Sequence, residues 1–246
     1  GTVSAYSIDS GGALTGVGSP AAAGTTPASV SVDLSGRYAY VANAGSANVS
    51  AYTIDGTGAL TSIGPVGAGT TPQSVSVDPS GRFAYVANAG SASVSAYTIN
   101  VSTGVLTRID ADPLTPLVVD DFVAGTTPKS VSVDPSGRFA YVANSGSDNI
   151  SAFRIDSSTG ALAGVAGQPF GAGTNPVSVV VHPSGQVAYV VNNSGVQRFT
   201  INSTTGALTA VGSPVAAGTT PVSISVDASG KVAYVANAGG GVSRYT

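Results

Sequence analysis

The chain has 246 residues, with 33 Gly, 14 Pro, one His and no Cys, Met or Trp; Glu is also absent, so all 12 acidic residues are Asp. These absences exclude a disulfide framework, a thiolate nucleophile, a Cys-based zinc site and an Asp/Glu acid–base pair. A net charge of −3 with nine Lys and Arg argues against a nucleic-acid footprint, which needs a basic face, and no stretch reaches the ~18 consecutive apolar residues of a membrane-spanning helix.

The chain opens with VSAYSI at 3–8, a Gly-containing turn and ALTGVG at 13–18. A longer block follows, AGTTPASVSVDLSGRYAYVAN at 23–43, and it recurs at 68–88, 124–144, 172–192 and 217–237. Each period therefore holds four short runs: run A (SVSVD-like), run B (FAYVAN-like), run C (VSAYTI-like) and run D (ALTxIG-like). β-Branched or aromatic residues at period two make each run a predicted strand. The A–B connector Asp-Pro-Ser-Gly at 78–81 and 134–137 has turn chemistry at every position. No helical period is sustained anywhere.

Four antiparallel strands per ~40–50-residue period predict propeller blades. Each blade packs on neighbours through both faces, which explains why only 9% of residues are charged. Runs A, B and D occur five times and run C six times, the last at 242–246. The expected architecture is all-β: one domain over 1–246, a single propeller of five four-stranded blades. Repeats start near 23, 68, 124, 172 and 217, and residues 1–22 complete the last blade, which is thus closed by strands from both termini. That closure removes sheet edges that would template aggregation. One C strand is then surplus, either 3–8 or 242–246.

Tyr40-Val41-Ala42-Asn43 and its four counterparts, Asp-Pro-Ser-Gly-Arg at 78–82 and 134–138, and Thr-Gly-Ala-Leu at 205–208 carry a family resemblance over the whole chain. The sequence resembles the YVTN-repeat propellers, which include surface-layer-type proteins and lactonase-like propellers related to 6-phosphogluconolactonase. Those relatives usually have seven blades, against repeats for five here. The lactonase-like branch implies hydrolysis of a sugar lactone by His, Arg and acidic groups in a central channel.

The residues offer little for such chemistry. His182 is alone, standing where other repeats carry Asp33, Asp78, Asp134 and Asp227. Its repeat also has Gln186 in place of Arg37, Arg82, Arg138 or Lys231, so the paired loss points to a local Asp–Arg turn pair. There is no Gly-x-Ser-x-Gly elbow, and no catalytic residue is assigned. The D–A and B–C loops share one face, where Asn43, Asn88, Asn144, Asn192 and Asn237 form a ring: turn-capping side chains, with polar ligand binding as the alternative. Residues 108–123 insert between strand D and the next strand A, bringing Asp110, Asp112, Asp120 and Asp121 as a weak calcium candidate; otherwise no cofactor is expected.

The leading expectation is a non-enzymatic scaffold or interaction propeller, extracellular or on a prokaryotic cell surface. The composition and the start in mid-blade without Met suit a processed protein or an excised segment. Its partners would be other surface proteins or itself, through strand exchange at Val3, Tyr6, Ile8, Val242 and Tyr245, with no nucleic acid and no membrane insertion. The alternatives are a lactonase-like hydrolase and a small-ligand or glycan-binding module.

Overall fold

A computed structural model describes residues 1–111 and 120–246. Among these residues there are strands and no helices. β1 (Thr2–Ile8) and β2 (Leu14–Ala22) pair with each other. The first blade has β3 (Pro27–Val32), β4 (Tyr38–Asn43), β5 (Asn48–Ile54) and β6 (Leu60–Gly67). The second has β7 (Pro72–Val77), β8 (Phe83–Asn88), β9 (Ser93–Ile99), β10 (Leu106–Ile109) and β11 (Phe122–Val123). The third has β12 (Pro128–Val133), β13 (Phe139–Asn144), β14 (Asn149–Ile155), β15 (Leu162–Gly164) and β16 (Phe170–Gly171). The fourth has β17 (Ser178–Val181), β18 (Val187–Asn192), β19 (Gly195–Ile201) and β20 (Leu208–Val215). The last has three strands, β21 (Pro221–Val226), β22 (Ala233–Asn237) and β23 (Val242–Tyr245). The fold is a five-blade propeller of small antiparallel sheets.

The Ser–Val alternation of run A has a specific cause. β3, β7, β12, β17 and β21 are the first strands of their sheets and lie side by side across blades. Their outward N–H groups have no ladder partner and must be satisfied elsewhere. Serines of the preceding blade supply the acceptors. Val75 and Val77 N–H donate to Ser29 and Ser31 Oγ (3.3 and 3.2 Å), Val131 to Ser74 (3.2 Å), Val179 to Ser130 (3.2 Å) and Ile224 to Ser178 (3.3 Å). The valines meanwhile enter the layers between blades.

The core is accordingly four layers, one between each pair of successive blades. Tyrosines tie these layers together in both directions. From the B strands, Tyr40, Tyr85 and Tyr141 hydroxyls donate to Gly104, Gly160 and Gly206 carbonyls of the next blade, each at 3.0 Å. From the C strands, Tyr52 and Tyr97 donate back to Ala22 and Gly67 carbonyls (2.6 and 2.7 Å).

Two expectations need correction. The last blade is not closed by strands from both termini: β1 and β2 form a separate two-stranded sheet, and β23 pairs only with β22. Val30 of β3 is 57% exposed where its counterparts Val75 and Val131 are 5% exposed, because among the described residues no blade packs on that side. The 108–123 segment, in turn, does not lie between strand D and strand A. β10 and β11 both pair with β9, so the insertion interrupts strand D itself and the ladder resumes after it. β15 and β16 split the third blade's outer strand in the same way, both pairing with β14.

Candidate functional site

Backbone strain singles out one face. Among the described residues, eight non-Gly residues have positive φ, namely Thr26, Ala47, Thr71, Ala92, Thr127, Asp148, Asn175 and Thr220, at 49–56°. All lie in D–A or B–C loops, whereas the A–B and C–D turns of the opposite face place Gly at positive φ (Gly36 and Gly104, for example). A β-branched residue in this region costs about 1–3 kcal/mol and persists only where its surroundings impose it. Here the two loops of a blade impose it together: Ala44 and Gly45 N–H donate to Thr26 and Thr25 carbonyls at 2.9 and 3.0 Å, and the pattern repeats in the other blades.

The asparagine ring lies just beneath these loops. Asn43, Asn88, Asn144, Asn192 and Asn237 are all buried. Asn43, Asn88 and Asn144 Nδ2 each donate to the C-strand serine Oγ (Ser50, Ser95, Ser151) at 2.9 Å, and Asn237 does so to Ser243 at 3.1 Å. Asn192 instead donates to Ala172 O (2.6 Å) and accepts from Ser194 N–H (2.8 Å). Gly24, Gly69, Gly125 and Gly218 close over the amides, where an added Cβ would come within 2.7–2.8 Å of them. The ring is thus engaged in cross-strand bonds.

On this repeated background the departures stand out. Asp148 takes the position of Ala47 and Ala92, and is exposed; its Oδ1 accepts from Asn175 N–H (2.7 Å). Asn175 replaces the threonine of the other loops, and its Nδ2 donates to Asn193 Oδ1 (3.1 Å). Lys129 is the residue skipped in the β12–β13 ladder, between the Pro128–Asn144 and Ser130–Ala143 pairs. A bulge of this kind re-aims a side chain and is common beside functional sites. Ala28, Gln73 and Val222 occupy the equivalent bulges, so only this one carries a charge. Sequence reasoning missed Asp148, Asn175 and Lys129. Aligning the repeats and asking where a charge replaces an uncharged residue would have found Asp148 and Lys129.

A second polar chain joins the insertion to the same face. Ser93 stands where the first and third blades have Asn48 and Asn149; its Oγ takes over as acceptor for Asn88 Nδ2 (3.3 Å) and donates in turn to Asp121 Oδ2 (3.0 Å). Asp121 is also ion-paired with Arg108, both largely buried. Of the calcium candidates, Asp110 Oδ1 accepts from Asp120 N–H (3.0 Å), and Asp112 lies outside the described residues. Among the described residues, no group of three or more His, Cys, Asp or Glu could hold a metal ion.

The opposite face is built differently from the expected Asp–Arg pairs. Asp78 Oδ1 accepts from Arg82 and Phe83 N–H (2.9 and 2.8 Å), and Oδ2 accepts from Ser80 N–H (3.1 Å). The arginine side chains do not meet these carboxylates. They lie over the next aromatic ring, 5.2 Å for Arg37 on Tyr38 and 5.0 Å for Arg82 on Phe83, and reach carbonyls of the following blade. The turn needs the carboxylate as a backbone acceptor, which is why a cation is not required beside it. His182 fills the same role: Nδ1 accepts from Ser184 N–H (3.0 Å), leaving Nε2–H to donate to Gly230 O (2.9 Å).

Val3, Tyr6 and Ile8 lie in β1, and Val242 and Tyr245 in β23, two strands that are not paired. Tyr6, Ile8 and Val242 are exposed, whereas Tyr245 donates to Ala216 O at 2.9 Å.

Comparison with known proteins now decides the family. The sequence pattern of the family described as lactonase, 7-bladed beta-propeller, matches residues 1–67, 57–120, 117–174 and 166–246, which together span the chain. The chain belongs to this lactonase family. Putative 6-phosphogluconolactonases from Bacteroides uniformis and Bacteroides fragilis share its fold, with TM-scores of 0.72 and 0.69 and 19% and 22% identity. Each superposition covers 85% of this chain and 63% of the other. The periplasmic gluconolactonase of Pseudomonas aeruginosa is similar as well (TM-score 0.70, 19% identity, 87% of this chain and 64% of that one). The lactonase-family chain thus spans less than two thirds of these proteins' length. No curated protein matches it. Membership in a lactonase family overturns the expectation of a non-enzymatic scaffold and favours the hydrolase alternative. Blade sequences such as YVAN and DPSGR encode packing shared by enzymes and scaffolds alike, so they could not separate the two.

Proposed function

We propose that this chain acts as a lactonase-type hydrolase that opens the ring of a sugar lactone at the strained loop face. The family match along the whole chain carries this reading. Lactone hydrolysis needs a base to take a proton from water as it attacks the acyl carbon, and a cation or donor to stabilise the developing oxyanion. The ring C–O bond then breaks and the released alkoxide takes up the proton. Asp148 supplies an exposed carboxylate held by one bond from Asn175, which leaves Oδ2 for a water molecule. Lys129, at its bulge, supplies the cation. Both sit on the face where strain is concentrated, as is common for sites held in a fixed geometry.

The test is hydrolysis of glucono-1,5-lactone followed by acid release above the spontaneous rate. Asp148→Asn tolerates the left-handed backbone at φ 56°, so it probes the carboxylate without disturbing the loop. We expect a loss of activity of ~100-fold for Asp148→Asn and at least ~10-fold for Lys129→Ala, the scale of a general base and of a stabilising charge. A wild-type rate equal to buffer refutes the function; wild-type activity in Asp148→Asn refutes the residue assignment.

A further inference from the structure

The face that carries the A–B and C–D turns repeats one cationic arrangement and then departs from it. In the first two blades the last residue of the A–B turn, Arg37 or Arg82, lies over the next aromatic ring. Its terminal nitrogens go to carbonyls of the following blade. Arg37 Nη2 donates to Val101 O (2.8 Å), and Arg82 Nη1 and Nη2 donate to Ser157 O and Ser158 O (3.2 and 3.5 Å). Directly across the ladder from each ring stands a threonine, Thr53 opposite Tyr38 and Thr98 opposite Phe83. Each threonine hydroxyl donates to a carbonyl of the outer strand, Thr61 O or Thr107 O, at 3.4 Å. The fourth blade keeps the threonine, with Thr200 opposite Val187.

The third blade breaks the pattern. Arg154 stands opposite Phe139, where the other blades have threonine. Its Nη1 donates to Thr204 O (3.4 Å), in the C–D turn of the following blade. Arg138 keeps its place over Phe139 but not the partner that Arg37 and Arg82 have. Its Nε donates to Ser136 Oγ (3.0 Å), and its two terminal nitrogens have no partner among the described residues. Two guanidinium groups therefore share one ring, 5.4 and 5.9 Å from its centroid. Both arginines are exposed, and the ring beneath them is buried. The carboxylate of this turn, Asp134, is buried and already accepts from the N–H groups of Ser136, Arg138 and Phe139. Among the described residues neither Arg138 nor Arg154 is in an ion pair.

Two like charges over one ring repel each other, and the threonine of the other blades would avoid that repulsion. Where a sequence breaks a local rule with no compensating partner inside the protein, a functional position is expected. The missing partner here is an anion. We propose that Arg138 and Arg154 bind a doubly charged tetrahedral oxyanion, a phosphate or sulfate group. Each guanidinium offers N–H groups in pairs that match two such oxygens, and a dianion neutralises both cations at once. Stacking on Phe139 holds the two groups in place before the ligand arrives. The site lies at the junction of the third and fourth blades, on the face opposite Asp148 and Lys129, so it does not rest on the lactonase reading.

The probes are inorganic phosphate and sulfate, each titrated into the intact chain by isothermal titration calorimetry at constant ionic strength and about pH 8, where phosphate is a dianion. Saturable one-to-one binding is expected, and the tighter of the two anions identifies the group the site serves. Arg154→Thr restores the residue of the other blades and should weaken binding at least ~10-fold, as should Arg138→Gln, since each removes charge-assisted hydrogen bonds. Arg82→Gln removes an arginine over an equivalent ring whose terminal nitrogens already have carbonyl partners, so affinity should be unchanged. Acetate, with a single charge, should bind more weakly than either dianion. Absence of saturable binding overturns the proposal. Unchanged affinity in Arg154→Thr overturns it too. An equal loss in Arg82→Gln would show a general effect of positive charge, and acetate binding as tight as phosphate would show no dianion site; either result also overturns it.

Discussion

Phenylalanine substitution at Tyr85 and at Tyr189 isolates what the tyrosine stitches contribute. Tyr85 is fully buried, and its hydroxyl donates to Gly160 O at 3.0 Å. Tyr189 occupies the same position two blades further along, yet its hydroxyl has no hydrogen-bond partner among the described residues. Tyr85→Phe removes a hydrogen bond and leaves a buried carbonyl unsatisfied, a loss of about 1.5 kcal/mol. Tyr189→Phe removes a hydroxyl that bonds no group among the described residues, so its cost should be near zero. For a chain of this size 1 kcal/mol moves Tm by about 2–4 °C, so Tyr85→Phe should melt about 3–6 °C lower. Thermal unfolding by far-UV circular dichroism, at a matched scan rate, measures both. Equal shifts for the two variants would refute the claim that the inter-blade bond, rather than the tyrosine hydroxyl as such, holds neighbouring blades together.

The A–B turns and the titrating groups give two further tests. Asp78→Ala removes a buried acceptor of three backbone N–H groups and should cost about 2–3 kcal/mol, read as a lower urea midpoint; the same change at exposed Asp9, in the turn between β1 and β2, should cost under about 1 kcal/mol. Stability should fall at both ends of the pH scale. Burial pushes the Tyr97 phenol up to about 12, and burial raises Tyr40, Tyr85 and Tyr141 as well. A phenol whose folded value lies above its unfolded value of ~10 stabilises the fold fully below pH 10 and loses that contribution as pH rises from there. At the acid end, hydrogen bonds from the Ser158 hydroxyl and N–H hold Asp156 near 2, so its contribution is present above about pH 4 and fades as pH falls toward 2. A urea midpoint unchanged between pH 8 and pH 11.5 would contradict the alkaline half.

Some of this protein was legible in its residues and some was not. The strands, their order within a blade and the turn between runs A and B follow from period-two patterning and Asp-Pro-Ser-Gly chemistry, because these are local. The role of run A serines was not legible. Each bonds a strand roughly one repeat away, for example Ser74 with Val131, and only the side-by-side arrangement of innermost strands shows that an orphaned N–H awaits there. The Asp–Arg pairing was misread for a related reason: the two residues are neighbours in the turn, yet the carboxylate turns back to the backbone and the guanidinium crosses to another blade. The insertion was misplaced because the ladder resumes with only Phe122 and Val123, too short a run to show a period.

The candidate site divides along the same line. That Asp148 departs from its repeat could be read from the letters alone, since Ala47 and Ala92 occupy its position. That it sits in strained backbone, bonded to Asn175 of the next loop, depends on a φ angle and a contact between blades. The sequence by itself determined the blade, because a blade is made of contacts between neighbouring runs. Tertiary structure decided the fate of the ends. Whether β1 and β2 complete the last sheet depends on where the accumulated rotation of successive blades leaves them, and that rotation is a property of the whole stack that no single repeat encodes.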